Sequence, residues 1–378
     1  MPTRVAEPAP TLVNGHAPGG LVCSREDVEM SVVGFASEIV CSPAGVALLE
    51  GLEVAHRRDL SLFESPTNVD SEAVGAAVDS VETMSLGALL HRLVHSADRV
   101  AGPWVSGAPR RVAVAFELAP ARVEIARAVA TRFEEILHSP IQRTDQEWWL
   151  SNQGRETEPA FTGQRRIYCC GEFTWDAVWT VSSPPSHIHD DLINVWEMFP
   201  GPISRWRVPI GPSARVYEVH APSDWARLVT RYPHLPDRAH SGWELPGPNQ
   251  DRTATQEVEQ KSSGAAARRE VIVAMPDWQR IAEDYDGVHL SWAGMLTCEG
   301  HVIDTPELGA EVVSMVRYWS SERTLWLNDV LEMPEPLSAP LLSGRINGDT
   351  GINANDPARL PVDADFINAR LGRQAVVI

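Results

Sequence analysis

The chain has 378 residues, with 51 acidic against 32 basic side chains and a formal net charge of −19. That length implies two or three domains and enough apolar material for a core without disulfides or a structural metal. The charge opposes a broad non-specific grip on nucleic acid, no run approaches the ~20 apolar residues of a membrane span, and five cysteines without a C-x-x-C spacing argue against a disulfide framework or a zinc ribbon.

Residues 1–25 are rich in Pro, Gly and Ala and lack the apolar core of a secretory signal, so they read as a disordered tail on a cytoplasmic protein. From Asp27 the pattern becomes helical. Ser42-Pro43 opens a second helix, 60–70 reads as a loop, and 71–100 reads as one or two helices broken near 83–86. Leu89, Leu90, Leu93 and Val94 carry helical spacing there. Residues 111–118 alternate Val112, Val114 and Phe116 with Ala and Glu, which predicts a half-buried strand. Helical spacing returns to about residue 139. Residues 26–148 are therefore expected to form a mainly helical domain.

The character changes near Trp148. Ten of the 13 Trp lie between Trp175 and Trp326, and short β-like runs alternate with turns. Strands are expected at 166–170, 177–181, 205–208, 215–220, 270–273, 287–291 and 324–327. Two helices are expected as well, at 223–231 with Ser223 as N-cap and at 277–284. The fold class is α+β, with a compact Trp-rich domain over 149–334. Residues 245–268 read as a surface insertion, and 335–378 as an extended tail.

Four clusters carry chemistry. Ser186-His187-Ile188-His189-Asp190-Asp191 offers His187, His189 and Asp191 as a local metal set, with Fe(II) as the expected ion. Its bland counterpart is a polar turn capping a helix. Trp179-Thr180-Val181-Ser182-Ser183 follows Arg165 and Arg166; a strand ending in hydroxyls suits a ribose or nicotinamide, and an Arg one strand earlier suits a diphosphate. In Asp286-Gly287-Val288-His289-Leu290, His289 alternates with apolar residues, which suits either a His facing a cleft or a satisfied or exposed strand residue. In Ser321-Glu322-Arg323-Thr324-Leu325-Trp326, Glu322 is placed to oppose a developing oxocarbenium ion, or else to pair with Arg317 or Arg323. Walker A, G-x-G-x-x-G, G-x-S-x-G and H-E-x-x-H patterns do not occur, which removes the common nucleotide, hydrolase and zincin classes.

The order of these segments, with Ala214-Arg215-Val216-Tyr217-Glu218-Val219 and Ser223-Asp224-Trp225 between the second and third, resembles a set of actinobacterial and phage proteins. More distantly it resembles the ADP-ribosyltransferases. Their layout places an Arg or His on a first strand, a Ser/Thr-rich second strand and a late catalytic Glu. Over 150–334 the resemblance implies Arg166 in the first position, Ser182 and Ser183 in the second, and Glu322 as the catalytic residue. His289 joins it as a second catalytic candidate and Tyr217 as a further cofactor contact. The implied function is an NAD-dependent ADP-ribosyltransferase or NAD glycohydrolase with a small-molecule or protein acceptor. Two other readings stand beside it: a metal enzyme built on 187–191, and a non-catalytic binding module with a Trp-rich surface.

Overall fold

The computed structural model describes residues 25–57, 59, 66–101, 114–151, 178–182, 203–235, 252–254, 269–316, 319 and 321–337. They form an α+β fold. Helices α1 (Arg25–Val40), α2 (Pro43–Val54), α3 (Ser71–Thr83), α4 (Leu86–Ala101) and α5 (Val123–Leu137) come first. Ser42 caps α2 by accepting from Gly45 N at 3.0 Å, with Pro43 in the first turn, where its missing N–H costs nothing. Asp70 caps α3 by accepting from the amides of Glu72 and Ala73. The break between α3 and α4 falls where it is expected. The tail at 1–24, the expected strand 166–170 and the segment 187–191 lie outside the described residues.

The strand expected over 111–118 is corrected. Residues 114–118 are helical and run into a 3-10 turn at Ala119–Arg122. The alternating Val residues suggested a strand, but the buried positions are Ala115, Ala119 and Arg122, at helical spacing. Ala115 and Ala119 pack on Val46 of α2, and Ala is the strongest helix former.

The central sheet contains β1 (Gln146–Ser151), β2 (Val178–Ser182), β3 (Ile203–Arg207), β4 (Val216–Val219), β9 (Gly287–Leu290), β12 (Arg323–Trp326) and β13 (Glu335–Pro336). Its order is β13-β3-β1-β2-β12-β9-β4. All neighbours are antiparallel except β4 and β9. A second sheet joins β10 (Ile303–Asp304), β11 (Val312–Ser314), β7 (Arg269–Val273) and β6 (Arg252–Ala254). β6 lies inside the stretch expected to be a surface insertion. β5 (Pro233–His234) pairs with β8 (Met275–Pro276). Three helices complete the second half: α6 (Pro222–Arg231), α7 (Trp278–Asp284) and α8 (Trp292–Cys298). α6 begins one residue earlier than expected. Its start is held by the Asp224 carboxylate, which accepts from the amides of His220 and Ala221.

One apolar core joins the two halves. Leu48, Leu52, Leu90, Leu93, Val129 and Phe133 share it with Val219, Trp225, Leu228, Val288, Leu290, Leu296 and Leu325. The boundary expected between residues 148 and 149 falls inside β1. Ser42 pins the halves together, its hydroxyl donating to Leu296 O at 2.6 Å. Farther out, the buried Arg122 donates to Glu53 Oε2 at 2.6 Å, and Glu53 Oε1 accepts from Asp70 N. Among the described residues no single helix is long and apolar enough to cross a membrane.

α8 lies so close to β4 that a Cβ on Gly294 would stand 2.2 Å from Val219 O. Both atoms belong to backbones that cannot move independently. Gly294→Ala is therefore expected to destabilise the fold by at least ~2 kcal/mol. By contrast, a Cβ on the exposed helical Gly75 meets nothing within 4 Å, so Gly75→Ala is expected to stabilise by ~0.5–1 kcal/mol. Urea midpoints of the two variants against the parent chain check both signs.

Candidate functional site

Side chains two apart along a strand share a face. The cross-strand register therefore assembles one polar row from residues far apart in sequence: Thr180 faces Thr324, Thr324 faces His289, and His289 faces Glu218. One step along the same face, Gln146 faces Ser182, and Glu322 stands just before β12. The opposite face carries Trp179, Val288, Leu290, Leu325 and Val219 into the core beneath the helices. The row is deeply buried: Gln146, Thr180, His289, Glu322 and Thr324 are each 5% exposed or less. Ser182 and Glu218, at the two ends of the line Ser182–Glu322–His289–Glu218, are half-buried.

A directed chain of hydrogen bonds runs through the row. The indole of Trp326 only donates, and it donates to Thr180 Oγ1 at 2.7 Å. Thr180 therefore donates onward to Gln146 Oε1. That choice turns the amide nitrogen of Gln146 toward Ser182 Oγ, at 2.9 Å, and Gln142 O, at 3.1 Å. Ser182 Oγ also accepts from Gln142 N at 3.4 Å, so both its lone pairs are taken. Its one proton goes to Glu322 Oε1 at 2.7 Å. Glu322 Oε2 accepts from Ser182 N at 3.0 Å. With its lone pairs occupied, Ser182 is a donor that orients the carboxylate rather than a nucleophile.

His289 is held between two carboxylates. Nε2 lies 2.9 Å from Glu322 Oε1, and Nδ1 meets Glu218 Oε2. A neutral imidazole has one N–H and would aim its bare lone pair at an anion. The cation donates at both ends. Burial disfavours that charge, but hydrogen bonds and proximity to Glu218 and Glu322 outweigh it and lift His289 to about 9. Glu218 Oε1 accepts in turn from Ile141 N at 3.3 Å.

The structure thus joins Ser182, His289 and Glu322, three residues that the sequence places in separate clusters. Of the two arginines expected to pair with Glu322, Arg323 lies over the Trp179 ring at 5.9 Å, and Arg317 is outside the described residues. Tyr217 is not part of the group. It leaves β4 on the face opposite Glu218, stacks edge-on with Tyr285 and donates its hydroxyl to Asp224 O at 2.8 Å. Arg166, Ser183, His187, His189 and Asp191 lie outside the described residues. Among the described residues no group of three or more His, Cys, Asp or Glu is placed to hold a metal ion. Sequence reading missed Glu218 and Gln146. The acidic residue inside the apolar run Val216-Tyr217-Glu218-Val219 was a signal for the first; Gln146 carried none.

In comparisons with known proteins, the chain matches no family model, no curated protein and no solved structure.

The raised pKa of His289 links stability to pH. The native state holds a proton that the unfolded chain releases above the ordinary value of 6.5. The stabilisation is complete below pH 6.5 and is lost as pH climbs toward about 9. The span corresponds to at most about 3 kcal/mol. Urea unfolding at a series of pH values across this window is expected to show the decline. A level profile there contradicts a buried imidazolium.

Proposed function

We propose that the chain transfers or hydrolyses the ADP-ribosyl group of NAD, with Glu322 as the catalytic carboxylate. The observation that carries this reading is the pairing of Ser182 with Glu322 across β2 and β12. It joins the hydroxyl strand and the late Glu on which the resemblance to ADP-ribosyltransferases rests. Cleavage of the glycosidic C–N bond sends its electron pair to the departing nicotinamide and leaves positive charge on the ribose. Glu218, His289 and Glu322 together carry two carboxylates and one imidazolium, a net single negative charge. A fixed anion in a buried setting favours a cationic transition state more than an anion in water does. Ser182 acts here as a positioning residue that locks the carboxylate rotamer. Water, or a nucleophile of a small-molecule or protein acceptor, takes the ribosyl carbon and surrenders a proton.

Nicotinamide release from NAD by the purified chain tests the reading. Glu322→Gln keeps the size and the hydrogen-bonding reach of the side chain but removes its charge, and is expected to cut release by at least about 100-fold. An unchanged circular dichroism spectrum at the assay temperature would separate this loss from misfolding, the melting point itself being expected to fall because His289 Nε2 loses its charged acceptor. Equal release by the parent chain and a folded Glu322→Gln variant removes Glu322 from the chemistry.

A further inference from the structure

The site just described must exchange protons with solvent, and its two ends differ in their capacity to do so. At the Ser182 end, passing a proton inward along the chain reverses every hydrogen bond from Ser182 through Gln146 and Thr180. The last member, the indole of Trp326, cannot accept one. That end is closed. At the other end, His289 Nδ1 meets Glu218, whose side chain is 26% exposed, as is that of His220 just beyond it. His220 Nε2 stands 3.9 Å from Glu218 Oε2, one small side-chain rotation short of a hydrogen bond. Its Nδ1 is buried and has no hydrogen-bond partner among the described residues.

We propose that His220 is the proton port of the site, the residue through which His289 and Glu322 equilibrate with water. His289 Nδ1–H passes its proton to Glu218 Oε2, leaving neutral His289 and a carboxylic acid. Glu218 turns and delivers that proton to the imidazole of His220, regaining its charge. The His220 imidazolium then releases it to water, and the same steps in reverse reload the site.

The surroundings of His220 suit this role. Its pKa is lowered, first by burial and then by His289 and His138, against the opposing pull of Glu218 and Asp224. It is therefore a neutral acceptor near pH 7. His138, at the end of α5, has its ring 6.1 Å from that of His220 and its Nδ1 against Glu134 O. Glu38 of α1, which interacts with Asp224 and Glu134, and Arg227, paired with Asp224 at 3.1 Å, belong to the same corner. Glu218 and Asp224 are the two carboxylates that His220 itself meets.

The test uses the full chain labelled with 15N-histidine and reads the exchange of the His289 ring N–H with water by NMR at neutral pH. His220→Ala is expected to slow exchange about 10- to 100-fold, and added imidazole is expected to restore it. His220→Gln, which keeps a polar side chain that takes up no proton, is expected to slow exchange equally and serves if the alanine variant folds poorly. Unchanged exchange in a folded variant overturns the proposal. So does slowing that imidazole fails to rescue, since a merely structural role is not replaced by a free base. The readout involves no NAD, so its failure and the failure of the ADP-ribosyl reading are separate events.

Discussion

The imidazolium of His289, buried between Glu218 and Glu322, is the constraint around which the central sheet is arranged. An ion in a protein interior loses the solvation of water, and a buried charge persists only when paired and hydrogen-bonded on every side. Pairing both ring nitrogens requires β4, β9 and β12 to hold one register, because a slip by a single residue carries each side chain to the opposite face. Gly287 and Gly294 serve the same end: the first lets β9 lie against the ring of Trp326, and the second lets α8 close on the end of β4. Removing one carboxylate leaves a ring N–H of the buried cation without its acceptor, which costs more than the hydrogen bond itself contributes.

The hydrogen-bond chain on the other side of Glu322 adds polarity to this charge. Its members are neutral, and each could in isolation point either way. The donor-only indole of Trp326 fixes all of them, so the orientation of the Ser182 hydroxyl is set by a residue three bonds distant in the network. The carboxylate is consequently held by a backbone amide, a hydroxyl and an imidazolium at once. Side chains locked in this way need no reorganisation when charge develops nearby, which is the property that electrostatic catalysis demands. The ADP-ribosyl reading uses that property, and His220 gives the same locked group a route for its protons.

The parts of the fold written in local signals were legible. Ser42-Pro43, the loop expected over 60–70 and the break before Leu86 mark helix ends, which are decided by neighbouring residues. The α+β class and the strands β2, β3, β4, β7, β9 and β12 followed from short-range alternation, whereas the shorter β5, β6, β8, β10, β11 and β13 were not expected. Contacts between distant residues were not legible. His289 and Glu322 are 33 positions apart, and Ser182 and Glu322 are 140. Each appeared as a candidate alone, and the register that joins them is a property of the folded sheet. The same reason explains the strand expected at 111–118: apolar alternation was visible, but burial of Ala115 and Ala119 against α2 was decided by a partner helix. The change in composition near Trp148 is real, yet it marks a change of secondary structure inside one core rather than a seam between two.

That shared core sets a timetable for the chain. The helices of the first half lean on α8, and the hydroxyl of Ser42 waits for a carbonyl 254 residues downstream. At ribosomal speeds of about 5–20 residues per second, the interval is on the order of ten seconds to a minute. From residue 133 onward, Leu48, Leu52, Leu90 and Phe133 have been synthesised but not the Leu296 and Leu325 that share their core. The nascent chain therefore carries a half-built apolar interior until synthesis passes residue 327.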